Sequence, residues 1–446
     1  MNGFSWFCLI VLTAMFIIMM SIMIIFERDK PKHIISWTIV FLFTQLIGYI
    51  VFTIFKIISY KKRQALIVKQ NEDLVYKNLI QHKLTNEQKL VQDEVFDFNS
   101  LAYNANLTQN NTYEILNSYA KYKETLLRDL KNANSYIFLE LERINSLDFE
   151  DVKNVLIEKA SKGVSVKLIY DNLISSKIKK ALIKAGVRVK TFSKHNVIGG
   201  NYANLRNVIS IDGNIVYIGR LDANKKQLSG ANDISSAFIK LKGDVVQDVN
   251  LAIHQDIVFS TGKYIDYKEV KKDVASNDTS IQFVSNEQDT DIELLIIKAI
   301  CMAKKSIQLQ LEKFIPTESI MSLLRFAINS NIEVKLMIPL KTGRNSKYFA
   351  SRAYAKELAL FGAKVYLYDG YMRFNAITID SQYVIYGNYA IDREYITNAL
   401  QNVLIFKDSK AVNFFNKEFE SCVNNSYKIN NAKYMLVREK FFKNFV

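Results

Sequence analysis

Two apolar runs open the chain. Gly3–Phe26 carries no charged residue over 24 positions, and Ile34–Phe55 carries none over 22. A bilayer core takes about 20 apolar residues per helix, so the pattern predicts two spans, joined by the link Glu27–His33. The first run has neither a basic start nor a small-residue cleavage site, which argues against a removed signal peptide. Lys56, Lys61, Lys62, Arg63 and Lys69 follow the second run, against Arg28, Lys30 and Lys32 in the link. That bias predicts a large cytoplasmic C-terminal part. The reading divides the chain into a transmembrane hairpin (residues 1–60), a polar helical connector (61–112) and two folded domains (113–265 and 281–446).

The two domains are read from an internal repeat. Ala133–Glu142 (ANSYIFLELE) parallels Ala303–Glu312 (AKKSIQLQLE), and Val164–Asp171 parallels Ile332–Pro339. Asn207–Gly219 (NVISIDGNIVYIG) parallels Asn375–Gly387 (NAITIDSQYVIYG) without a gap. Within the first repeat, helical spacing predicts helices over Glu124–Asn132, Asp151–Lys162 and Lys177–Ala185. Strand patterns predict Tyr136–Leu141, Val164–Tyr170 and Val187–Phe192. Alternation of this kind argues for an α/β fold. Val208–Ile211 and Ile215–Ile218 flank Asp-Gly-Asn, a hairpin-turn signal.

Composition sharpens the picture. A formal charge of +15 over 446 residues suits an anionic partner. With two apolar runs present, a membrane surface explains it better than nucleic acid, and no nucleic-acid partner is expected. Cys8, Cys301 and Cys422 are widely spaced, with no CxxC or Cys/His cluster, so no metal site or disulfide framework is expected. Lys428–Val446 is basic and aromatic, with five Lys/Arg against one Glu, and reads either as a solvated terminal helix or as one resting on a membrane.

The repeated frame around Asn207 and Asn375, together with the hairpin link, Phe314–Pro316 and Gly362–Gly370, resembles the bacterial cardiolipin synthases of the phospholipase D superfamily. The resemblance covers nearly the whole chain. It implies two tandem phospholipase-D-like α/β domains with pseudo-twofold symmetry, each contributing one His-x-Lys-x4-Asp motif to a shared cleft, with no cofactor. In such enzymes one His attacks phosphorus, the other protonates the leaving alcohol, the two Lys hold the phosphate oxygens and the Asp orients the ring.

Here both motifs are degenerate. The His positions hold Leu205 and Arg373, the Lys positions Asn207 and Asn375; Asp212 and Asp380 remain. The family's Asn and Glu beyond the second motif are Ala390 and Gln401, and the second Gly of its Gly-Gly in the first repeat is Arg220. The chain's histidines are His33, His82, His195 and His254, so none lies in the second repeat and a two-His relay cannot be assembled. Asp212 and Asp380 each start a tight turn, where Asp serves its own backbone. Asn204, Arg206, Asn207, Arg373 and Asn375 are the candidates for binding a phosphate or head group.

The expectation is a membrane-anchored, catalytically inactive cardiolipin synthase-like protein. It would act at the cytoplasmic membrane face as a phospholipid-binding or partner subunit, with phosphatidylglycerol or cardiolipin as lipid and an active synthase or another envelope enzyme as partner. The alternative is an active phosphatidyltransferase that makes cardiolipin with unorthodox residues, His195 or Arg373 among them.

Overall fold

The structure is a computed structural model. It describes residues 93–144, 149–171, 174–192, 203–221, 234–261, 279–286, 292–340, 346–429 and 437–445, and of the first 92 residues a set of helical positions between 6 and 54. The larger compact unit holds both repeats.

The first repeat is a seven-stranded sheet in the order Asn111–Leu116, Phe238–Gly243, Ile215–Ile218, Val208–Ile211, Tyr136–Leu141, Ser165–Tyr170, Arg188–Thr191. The last three strands are parallel, and the remaining pairings are antiparallel. The second repeat gives the same order: Ile281–Ser285, Asn402–Phe406, Tyr383–Asn388, Asn375–Ile379, Ser306–Gln310, Glu333–Pro339, Lys364–Tyr368. Its sheet gains Leu107–Thr108 at one edge and Ser426–Lys428 at the other.

Local sequence explains these elements. Helix Tyr119–Lys131 begins at Ser118, whose side chain accepts from the Lys121 N–H, and buries Tyr122, Leu126 and Leu130 at a spacing of four. Helices Glu150–Ser161 and Ser176–Lys184 run out into Gly163 and Gly186, at φ +90° and +88°, a conformation that glycine adopts without Cβ strain. Each then returns as a parallel strand, as the βαβ unit requires.

One apolar layer is common to both repeats. It joins Phe138, Val208, Val216 and Ile239 to Phe283, Ala376, Tyr386, Leu404 and Phe415. Within it the Tyr386 hydroxyl reaches the carbonyls of Ile218 (3.2 Å) and Ala237 (2.8 Å) in the other repeat.

In the predicted hairpin, the described positions are helical and Trp37 packs against Phe41 and Phe52, with Phe16 and Met20 against that cluster. Among the described residues no helix is long and apolar enough to cross a membrane. Most of Gly3–Phe26 and about half of Ile34–Phe55 lie outside the described residues, as do the link and the connector as far as residue 92. Beyond it, helix Glu94–Tyr103 packs into the core of the second repeat. The basic tail is not a freely solvated helix. Val437–Phe445 docks on helix Ser346–Leu360, burying Glu439 between Lys356 (2.7 Å) and Arg352 (3.4 Å) and stacking Phe442 on Phe349.

Candidate functional site

The two degenerate motifs meet across the junction of the repeats, and each is tied to the opposite repeat by its backbone. Ala203–Asn204 pairs in parallel with Ala399–Leu400, and the Leu205 N–H donates to the Leu400 carbonyl at 2.9 Å. Reciprocally, Tyr371–Met372 pairs with Ile234–Ser235, and the Arg373 N–H donates to the Ser235 carbonyl at 3.1 Å. The two former histidine positions thus occupy equivalent places, and both side chains are half-buried. Neither offers a nucleophile: Leu has no polar atom, and a guanidinium stays protonated.

The lysine positions have become backbone clamps. Asn207 Oδ1 accepts the Glu142 N–H at 3.1 Å, and its amide group donates to the Leu205 carbonyl at 2.9 Å. Asn375 Oδ1 accepts the Glu312 N–H at 2.8 Å, and its amide group donates to the Tyr389 carbonyl. A lysine lacks an acceptor and cannot make the first of these bonds.

Asp212 and Asp380 serve the strands rather than the cleft. The Asp212 carboxylate accepts the N–H groups of Asn134 (2.8 Å), Ser135 (2.7 Å) and Tyr136 (2.9 Å). Asp380 does the same for Lys304 (2.8 Å), Lys305 (2.7 Å) and Ser306 (2.8 Å). Both lie in the hairpin turns, at φ +50° and +52°. This corrects the ring-orienting role implied by the resemblance. Asp212 follows strand Val208–Ile211 and Asp380 follows strand Asn375–Ile379, and their carboxylates hold the backbone that leads into strands Tyr136–Leu141 and Ser306–Gln310.

Arg206 is also corrected as a phosphate candidate. Its side chain is 4% exposed and grips Asp256, Ser285 Oγ, the Asn286 carbonyl (2.6 Å) and the Gln401 carbonyl (3.4 Å). Asn204 is buried beside it, donating to Glu140 and accepting the Arg206 N–H. Burial, and after it the negative charge of Asp256, push the Glu140 carboxyl well above the usual carboxylate range. Gln401 is fully buried; its Oε1 accepts the Ala390 N–H at 2.8 Å, so the pair that replaces the family's Asn and Glu closes on itself.

Of the four histidines, only His254 is described. It lies buried on helix Val245–Thr261, and burial, aided by the charge of Lys167, holds its pKa below the usual value. His33, His82 and His195 fall outside the described residues.

Three residues not singled out as site candidates meet where the lysine positions converge. Arg220 contacts Glu312 at 2.9 Å and Glu142 at 3.2 Å. The sequence signal was present: both repeats carry Leu-x-Leu-Glu at the end of the strand (Leu139–Glu142 and Leu309–Glu312), and Arg220 stands where the resemblance implies the second Gly of a Gly-Gly.

Comparison with known proteins fits this geometry. Residues 296–423 match the family model described as the cardiolipin synthase, PLD-like domain. A cardiolipin synthase of Oceanobacillus iheyensis is 28% identical, over 95% of this chain and 94% of its own. The chain is similar to the bacterial cardiolipin synthases over most of its length. The major cardiolipin synthase of Bacillus subtilis is 27% identical to this cardiolipin synthase-like chain, over 89% of each. Among solved structures, a phosphatidylserine synthase of Haemophilus influenzae superimposes with TM-score 0.59 at 12% identity, covering 79% of this chain and 97% of that one. At that identity the likeness concerns the fold alone.

Proposed function

We propose that this cardiolipin synthase-like chain is catalytically inactive and works as a partner subunit at the cytoplasmic face of a membrane rich in anionic phospholipid. The observation that carries the reading is the fate of the four motif positions. Leu205 and Arg373 supply no nucleophile, and the amide oxygens of Asn207 and Asn375 are engaged with the backbone of Glu142 and Glu312. Losing an activated nucleophile costs many orders of magnitude in rate, while the scaffold that held it is kept in both repeats.

The membrane anchor is supported by the two uncharged runs and the +15 charge. Of the head-group candidates, Arg373 is the charged one whose side chain is half-exposed, and it is the residue we assign to a lipid phosphate of phosphatidylglycerol or cardiolipin. The partner reading is tested by mild cross-linking in intact membranes followed by purification of this chain. An envelope enzyme, an active cardiolipin synthase foremost, is expected to co-purify in stoichiometric amount. Recovery of nothing above an untagged control would contradict the partner role.

A further inference from the structure

Arg220 follows Gly219, whose N–H donates to the Asn207 carbonyl at 3.1 Å. From there its guanidinium reaches both repeats. Nη1 lies 3.2 Å and 2.9 Å from the two carboxylate oxygens of Glu312, and Nη2 lies 3.2 Å from Glu142 Oε2. Glu142 and Glu312 are the same position of the repeat, and their N–H groups are the ones held by Asn207 and Asn375. The Arg220 guanidinium therefore straddles the two repeats, paired with the two glutamates whose N–H groups Asn207 and Asn375 hold.

The side chains of Arg220, Glu142 and Glu312 are 20%, 15% and 19% exposed. Partial exclusion of water strengthens such a contact and makes an unpaired acid costly. The chemistry is the reverse of a phosphoryl site. Two carboxylates repel a phosphate, whereas a planar guanidinium satisfies both, one of them through a forked contact.

We propose that Arg220 is a built-in plug. Its guanidinium takes the place that the resemblance gives to the substrate phosphate, and the centre of the shared cleft is complementary to a guanidinium cation instead of a phosphoryl anion. The proposal rests on the reading of the cleft as inactive, but its test reads stability and not turnover, so the two fail separately.

The experiment uses the full-length protein in detergent, with thermal unfolding as readout. Arg220→Gly, which restores the family residue, is expected to lower Tm by about 2–4 °C. Methylguanidinium at about 10 mM is expected to recover at least half of the loss by binding the emptied site. It should do nothing for the unaltered protein or for Arg220→Gly combined with Glu312→Gln, and inorganic phosphate should not rescue. Undiminished stability of Arg220→Gly, or rescue by phosphate and not by methylguanidinium, would overturn the plug. Should Arg220→Gly fail to fold, Arg220→Gln, Glu312→Gln and their combination decide the matter. The combination is expected to be no less stable than Arg220→Gln alone, and additive losses would overturn the proposal.

Discussion

Asn375 accepts the N–H of Glu312 through its amide oxygen at 2.8 Å. This bond is repeated between Asn207 and Glu142 at 3.1 Å, so both asparagines are tied to the backbone of the neighbouring strand's end. Asn375→Lys is therefore not a restoration. It is expected to leave the Glu312 N–H without its acceptor and to cost about 1–3 kcal/mol of stability, without gain of transferase activity. An unchanged denaturant midpoint would show that the clamp contributes nothing.

The carboxylates of Asp212 and Asp380 each collect three backbone N–H groups. Charge-assisted bonds of this kind support a loss of about 2–3 kcal/mol for Asp212→Ala and for Asp380→Ala. The expectation is a lowered Tm in both variants. A variant as stable as the parent would return these residues to the cleft chemistry.

The two hairpin turns differ at one residue. Asp212 is followed by Gly213 at φ +72°, whereas Asp380 is followed by Ser381 at φ +52°. A serine in the left-handed region carries a Cβ penalty of about 1 kcal/mol that glycine avoids. Ser381→Gly is expected to raise stability by a few tenths to about 1 kcal/mol, net of its effect on the unfolded chain. Destabilisation on urea titration would mean that the bond from Asn416 Nδ2 to Ser381 Oγ, at 3.2 Å, outweighs the backbone strain.

Glu140 gives a pH signature. Its native pKa is raised by burial and by Asp256, so between the unfolded value near 4.5 and the raised native value the native state binds the extra proton. Stability from this group therefore falls as pH rises through that window. Glu140→Gln, which copies Gln310 at the same place of the second repeat, is expected to be more stable than the parent at pH 7.5 by on the order of 1–2 kcal/mol. The gain should shrink toward zero as pH approaches 4.5. A gain independent of pH, or a loss at pH 7.5, would place an ionised Glu140 in the native state.

The fold was legible where its signals are local. Strand Tyr136–Leu141 and the hairpin Val208–Ile211 with Ile215–Ile218 lie where alternation and the Asp-Gly-Asn turn place them, and the gap-free repeat gave both sheets one plan. The residue types at the four motif positions, Leu205, Asn207, Arg373 and Asn375, are read directly from the sequence. The new contacts are not. Arg220 and Glu312 are 92 residues apart, and nothing short of the packed repeats brings them together. Arg206 reads in sequence as a phosphate candidate; only the pairing of Ala203–Asn204 with Ala399–Leu400 carries it beneath the second repeat, where Asp256 and three further oxygen acceptors receive it. The tail misled in the same way, since the one acid in it, Glu439, is buried against Lys356 and Arg352 where the tail docks.

The central claim is that the scaffold has outlived the reaction. Its most direct test is turnover: the full-length protein in phosphatidylglycerol vesicles, assayed for free glycerol and for cardiolipin by mass spectrometry beside an active cardiolipin synthase. The account predicts neither product above the level of protein-free vesicles. Cardiolipin formed in proportion to the amount of this protein, after contaminating synthase has been excluded, would contradict it and require a nucleophile other than the motif residues.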